Sequence, residues 1–302
     1  MFGCRSKKPH HSVSLGRIVT QFCRYRSVVS EYGFGDEFPQ GLFTLKSASI
    51  TIATYNIHKG LSPLNRKLII HDVRETLHAY DADIVLLQEV QGAHAARARK
   101  FADWPAVPQH EHIAGERYTD IVYGVNARHR LGDHGNAILS SFPIEHSVNH
   151  DVSHHRFESR GHLFASIDVP ALAEPLICVC VHLGLFHRSR LMQVERLIDL
   201  LSEVTPGDSP LVIAGDFNDW RAGHSRISDK LADRLGVVEA FESSQGKLAR
   251  TFPAVMPMLT LDRIYVRGMK IEAAHRLHGE VKGTRWRRMS DHLGLAVTLR
   301  AK

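Results

Sequence analysis

From Ser49 onward, short runs of wholly apolar residues alternate with stretches whose apolar residues recur at helical spacing. Residues 84–87, 177–181 and 211–214 are strand-sized and apolar at successive positions, the pattern of strands covered on both faces. Residues 66–80 carry Leu68, Ile69, Val73 and Leu77 on one helical stripe, and residues 190–201 carry Leu191, Val194, Leu197, Ile198 and Leu201 on another. Further strands are expected at 49–57, 121–125, 137–139, 163–169, 261–266 and 293–299. Strands buried on both faces and helices apolar on one side satisfy each other in a layered α/β protein. The apolar runs fall far short of the roughly 18 residues of a membrane span, so an integral membrane protein is not expected.

No linker interrupts the pattern after residue 49, so one domain is expected over 49–302, preceded by a basic extension over 1–48. That extension holds 7 Lys/Arg against 3 acids, and the remainder holds 31 against 29, so most of the formal charge of +6 sits in the tail. The body lacks the general basicity of a dedicated DNA binder. The tail is expected to be poorly ordered, although Leu15, Val19 and Phe22 leave open a short basic helix in peripheral contact with an anionic membrane. Cys178 and Cys180 are two residues apart in an apolar run, so they would share a strand face rather than bridge, and four cysteines make no disulfide framework. A reducing, cytoplasmic location is the expectation, with no obligate protein partner evident.

Six polar interruptions stand at or near the ends of apolar strands: Asn56, Glu89, His182, Asp216 with Asn218, Asp262, and Asp291 with His292. Singly each is ordinary, since a strand-end Asp more often caps a turn and a lone strand His is usually a satisfied core group. Together they match the way α/β enzymes assemble a site, by delivering polar groups to one edge of a sheet. Oxygen donors from Glu89, Asp291 and the Asn56 amide suit a hard cation, Mg²⁺ or Mn²⁺. Gln109-His110-Glu111-His112 has the wrong spacing for a zinc protease helix, and neither a Gly-x-Ser-x-Gly elbow nor a phosphate-cradling Gly-rich loop is present. Lys282, Arg285, Arg287 and Arg288 crowd the approach to Ser290-Asp291-His292, which suits an anionic substrate.

Tyr55-Asn56-Ile57, Gln88-Glu89-Val90, His134-Gly135-Asn136-Ala137, Val181-His182-Leu183, Gly215-Asp216-Phe217-Asn218, Leu261-Asp262-Arg263-Ile264 and Ser290-Asp291-His292 follow one another in a telling order. In that order the chain resembles the endonuclease/exonuclease/phosphatase superfamily, the DNase I-like proteins, over residues 49–300. With Asn56-Ile57-His58-Lys59-Gly60 and Asp216-Phe217-Asn218-Asp219-Trp220 it is similar to bacterial cytosolic-type members. The resemblance implies a four-layered α/β sandwich, two mixed sheets face to face with helices outside. It implies Asn56, Glu89 and Asp291 around the metal, and His292 as general base oriented by Asp262. Asp216 and Asn218 would position the nucleophile and His182 would serve the phosphate side; the sequence offers no evident acid to pair with His182. Arg160, Asn136 and Arg285 would contact substrate, and Gly161 would let backbone approach a ligand. Trp220 is expected on the site wall or in packing. The implied activity is divalent-metal-dependent hydrolysis of a phosphate ester, favoured as a diester that is small or lipid-borne. Nuclease action and a catalytically silent, phospho-ligand-binding member of the fold are the alternatives.

Overall fold

The structure, a computed structural model, describes residues 49–154, 158–205, 207–220, 226–281 and 283–302. The basic extension and Lys282 lie outside the described residues. Twelve strands form two six-stranded sheets. The first contains β1 (Ser49–Asn56), β2 (Ile84–His94), β3 (Asp120–His129), β4 (Gly132–Ser140), β11 (Met269–Arg276) and β14 (Leu295–Ala301), in the order β11-β14-β1-β2-β4-β3. The second contains β5 (Ile144–Asp151), β6 (Gly161–Ile167), β7 (Leu176–His182), β8 (Leu211–Asp216), β9 (Val238–Glu239) and β10 (Asp262–Arg267), in the order β5-β6-β7-β8-β10-β9. Each sheet is mixed: β1 runs parallel to β2 and β7 to β8, and the other pairings are antiparallel. A two-stranded hairpin, β12 (Glu280–Val281) with β13 (Thr284–Arg285), stands apart from both.

Side-chain alternation along β1 shows why apolar residues fill successive positions. Ile50 and Ile52 enter the core between the sheets, against Ala165, Cys178, Cys180, Val212 and Ile264 of the opposite sheet. Ala53 and Tyr55 face the other way, into a second apolar cluster with Val73 and Leu77 of α1 (Ile70–Tyr80). On the other sheet, α2 (His187–Val204) buries Val194, Leu197, Ile198 and Leu201. Sheet packed on sheet, with helices outside, gives four layers, as expected. Cys178 and Cys180 are free and share the inter-sheet face.

Helix α1 begins at Ile70 rather than near residue 66, because Leu64 and Asn65 take left-handed backbone and Leu61 bridges to Leu68. The apolar patterning of the sequence does not mark β5 or β11, edge strands on which half of the residues are exposed. Strand β2 continues past Leu87 through a register shift before Val90, and Glu89 sits in that bulge with φ of 57°. A bulge of this kind re-aims one side chain, and here it is a carboxylate.

Candidate active site

The described strands bring the six polar interruptions to one edge through their pairing register. In the second sheet His182 is the register partner of Asp216, and Asp216 that of Asp262, so three site residues lie abreast on β7, β8 and β10. In the first sheet Asn56 is the register partner of Gln88, the residue before Glu89. The Ser290 hydroxyl donates to the Asn56 carbonyl (2.7 Å) and accepts from the His292 backbone N–H (3.2 Å), which brings Asp291 and His292 to the same strand end. The sheets join at the site through the Asn56 amide, which donates to Asp216 Oδ2 at 3.2 Å.

His292 Nδ1 lies 2.8 Å from Asp262 Oδ2, both side chains nearly wholly buried. Its Nε2 is 3.7 Å from Asp216 Oδ2, and His182 Nε2 approaches the same oxygen to 3.6 Å. Burial alone favours a neutral His292 ring, but the Asp262 and Asp216 carboxylates outweigh it and hold the ring above its ordinary range. Burial raises Asp216, against the pull of His292. His182 is pushed well below the usual range by burial, helped by Arg160, so its ring is neutral. The nearest carboxylate to His182 is thus Asp216, at a distance too long for a hydrogen bond. Asn218, itself at φ of 50°, donates from its backbone to Asp216 Oδ1 (2.9 Å) and from its side chain to the Leu183 carbonyl (2.9 Å).

Asn56 Oδ1 accepts from the His58 backbone (3.1 Å), and His58 Nδ1 lies 3.1 Å from Asp291 Oδ1. Lys59 Nζ lies 3.3 Å from Glu89 Oε2. Asp291 sits below the usual carboxylate range: its burial acts upward, and the His58 hydrogen bond with the His292 charge overcomes it. His58 and Lys59 were given no role by sequence, although both belong to the Asn56–Gly60 motif. Both are left-handed, with φ of 46° and 62°, and with Glu89 and Asn218 they make four of the seven described non-glycine residues with positive φ. Backbone strain of about 1–3 kcal/mol per residue concentrates where a structure must aim particular groups.

The expected substrate contacts are dispersed. Arg160 is largely buried, donates from Nε to the Leu183 carbonyl (3.1 Å), and stands beside His182. Asn136 is fully buried and donates to the Gly161 carbonyl at 3.0 Å, tying β4 to β6. The room left by Gly161 is filled by Asn126 and Asn149, whose side-chain oxygens would meet an added Cβ at 2.2 and 2.7 Å. It therefore serves packing between the sheets rather than ligand approach. Arg285 is exposed on β13 and pairs with Glu280 at 3.0 Å. Trp220 is half-exposed, with the Arg190 guanidinium 4.8 Å from its ring centre. Sequence reasoning also missed the buried network behind the site, in which Asp219 faces both Arg190 (3.7 Å) and Arg263 (3.4 Å). Its signal was present as charged residues inside the apolar strand 261–266 and beside Asn218.

Residues 53–292 match the model of the endonuclease/exonuclease/phosphatase family. A relative in Escherichia coli (strain K12), the uncharacterized protein YbhP, is 39% identical over 251 residues, 83% of this chain and 96% of the relative. Among solved structures, an endonuclease/exonuclease/phosphatase of Beutenbergia cavernae aligns with a TM-score of 0.64 at 18% identity, over 84% of this chain and 72% of that one. A mannosyl-6-phosphatase of Bacteroides thetaiotaomicron aligns with a TM-score of 0.62 at 14% identity, over 83% and 99%. Both structures share the fold. The ordered motifs, the paired six-stranded sheets and the family match over most of the chain agree, and the chain belongs to the endonuclease/exonuclease/phosphatase family.

Proposed function

We propose that the chain hydrolyses a phosphate ester by attack of water, with a divalent cation at Glu89, Asn56 and Asp291 and His292 as general base. The observation that carries this reading is the His292–Asp262 pair: a 2.8 Å contact fixes Nδ1 and leaves Nε2 pointing to the Asp216, His182 and Asn56 side. Family membership and the phosphatase named among the structural relatives agree with phosphoester chemistry.

The donor set fits Mg²⁺ or Mn²⁺. Two carboxylates and an amide oxygen are hard ligands, Glu89 and Asp291 remain partly accessible, and Lys59 already places a positive charge on Glu89. A second cluster, Asp216, Asp262 and His292, offers ligand atoms within 4.8 Å of one another. It suits a cation less well, because Asp262 Oδ2 is committed to His292 Nδ1 at 2.8 Å. When bound, the metal supplies charge neutralisation at the phosphoryl oxygens. The chain's own groups do the rest. Asp262 holds the His292 tautomer, Nε2 takes the proton of the attacking water, and Asp216 with Asn218 positions that water. Neutral His182 offers a hydrogen bond to the phosphoryl group, and Arg160 contributes positive charge beside it.

Hydrolysis of bis-p-nitrophenyl phosphate and p-nitrophenyl phosphate with Mg²⁺, Mn²⁺ or EDTA, beside plasmid nicking, tests the reading. Metal-dependent diester cleavage is expected, falling about 10²–10⁴-fold in His292→Ala. Nicking of plasmid would move the assignment to a nuclease, and failure of every ester with every metal would favour a silent binding member.

A further inference from the structure

The loops that carry the candidate active-site residues end in large apolar side chains facing water. Val255 is 66% exposed, Met256 63% and Met258 55%, all on the loop between Phe252 and Leu259. That loop is fastened to the site: the Phe252 ring lies 5.1 Å from the His292 ring, the Ala254 N–H donates to the Asp291 carbonyl (2.7 Å), and Thr251 Oγ1 accepts from the Asp262 N–H (3.3 Å). Trp220, two residues past Asn218, lines one groove of about 960 Å³ together with Met258. Beneath the surface, buried Arg190 lies against the Trp220 ring and donates to the carbonyl of Leu185, which with Phe186 is exposed after His182. Trp220, Met258, Met256 and Val255 are thus grouped along two adjoining grooves rather than scattered, and a grouped patch rimmed by charge marks an interaction surface.

The charge beside the loop is cationic. The groove shared with Trp220 and a second one of about 520 Å³ on the far side of Pro257 carry Lys247, Arg250, Arg276, Arg285 and Arg287 against Glu242 and Glu280. Glu280 is itself paired to Arg285. Flexible aliphatic and thioether tips above a ring of cations match a lipid interface, where the tips enter the acyl boundary and the cations meet anionic headgroups. Single-stranded nucleic acid would find stacking rings only at Trp220 and Phe186 of this patch, since the loop tips Val255, Met256 and Met258 present none.

We propose that this rim seats on an anionic phospholipid surface and presents a headgroup phosphoester to the site. The choice of substrate rests on the hydrolase reading above; the docking does not. Flotation of the full-length protein with vesicles of equimolar phosphatidylglycerol and phosphatidylcholine, in EDTA, tests docking without turnover. The variants are V255S/M256S/M258S, and separately R276E/R287E, each compared with the wild type in far-UV circular dichroism and thermal melting. The tail is present in all three proteins, so differences report the rim. Wild type is expected to float with the mixed vesicles, at least about tenfold more than with phosphatidylcholine alone. Flotation should fall about tenfold or more in each folded variant. Equal flotation of wild type and both folded variants overturns the proposal. So does a wild type that ignores vesicles and binds a single-stranded oligonucleotide, or that elutes as a dimer which V255S/M256S/M258S dissociates. Flotation lost in the variants while the wild type turns over no ester would sink the hydrolase reading and leave the docking standing; the reverse pattern would do the opposite.

Discussion

Asp216 gathers more of the candidate site than any other side chain. Its Oδ2 faces the Asn56 amide, His182 and His292, while Oδ1 takes the Asn218 backbone N–H. In the proposed mechanism Asp262 acts through His292, as a positioning residue. Asp262→Asn is expected to lower kcat on bis-p-nitrophenyl phosphate by about 10²-fold or more, with KM little changed, measured by steady-state kinetics. Asp219 has a different task although it sits three residues from Asp216. It is buried between Arg190 and Arg263, so Asp219→Ala leaves two buried guanidinium groups short of a counter-charge. A loss of about 3–5 kcal/mol in urea unfolding is expected, since removing one partner of a buried pair costs far more than the pair contributes.

Between elements, the abreast placement of His182 and Asp216 depends on a glycine. Gly215 has φ of 145°, and a Cβ there would stand 1.9 Å from the Val181 carbonyl oxygen on β7. Gly215→Ala is expected to force β7 and β8 apart, at a cost of more than about 3 kcal/mol, read as loss of soluble folded protein or a matching fall in the urea midpoint. On β6, the buried His162 donates from Nε2 to the Gln193 carbonyl (3.0 Å), and burial pushes its ring from 6.5 down to about 4. The unfolded chain therefore takes up this proton before the folded chain does. The associated stability is complete above pH 6.5 and is lost as the pH falls towards 4, about 3 kcal/mol in all. His162→Gln should flatten the difference between urea melts at pH 7 and pH 4.5, with the sign that acid hurts the wild type more.

At the scale of the whole molecule, the two apolar clusters among the described residues run from Ile50 to Leu299. Deleting residues 1–48 is expected to leave the thermal midpoint and the diester kinetics unchanged, and a fall in either would show that the extension takes part in the domain. Among the described residues no helix is long and apolar enough to cross a membrane. The layered α/β class was legible in the sequence because strands buried on both faces must be apolar at successive positions, and the covering helices apolar on one stripe. The polar interruptions were legible because a carboxylate at the end of Ile84–Leu87 or Leu211–Ala214 breaks a pattern that burial otherwise enforces. Edge strands β5 and β11 were not, because exposure removes the constraint that writes the pattern. Nor were the roles of His58 and Lys59, the Asp219–Arg263 network, or the apolar rim. Each depends on which residues meet across 30 to more than 200 positions of chain, as Ser290 meets Asn56. Local sequence determined what each buried strand is and which chemistry its end can carry. Register, bulge and sheet stacking decided which of those ends share a site, since only packing brings distant strands within the few ångströms over which hydrogen bonds and buried charges act.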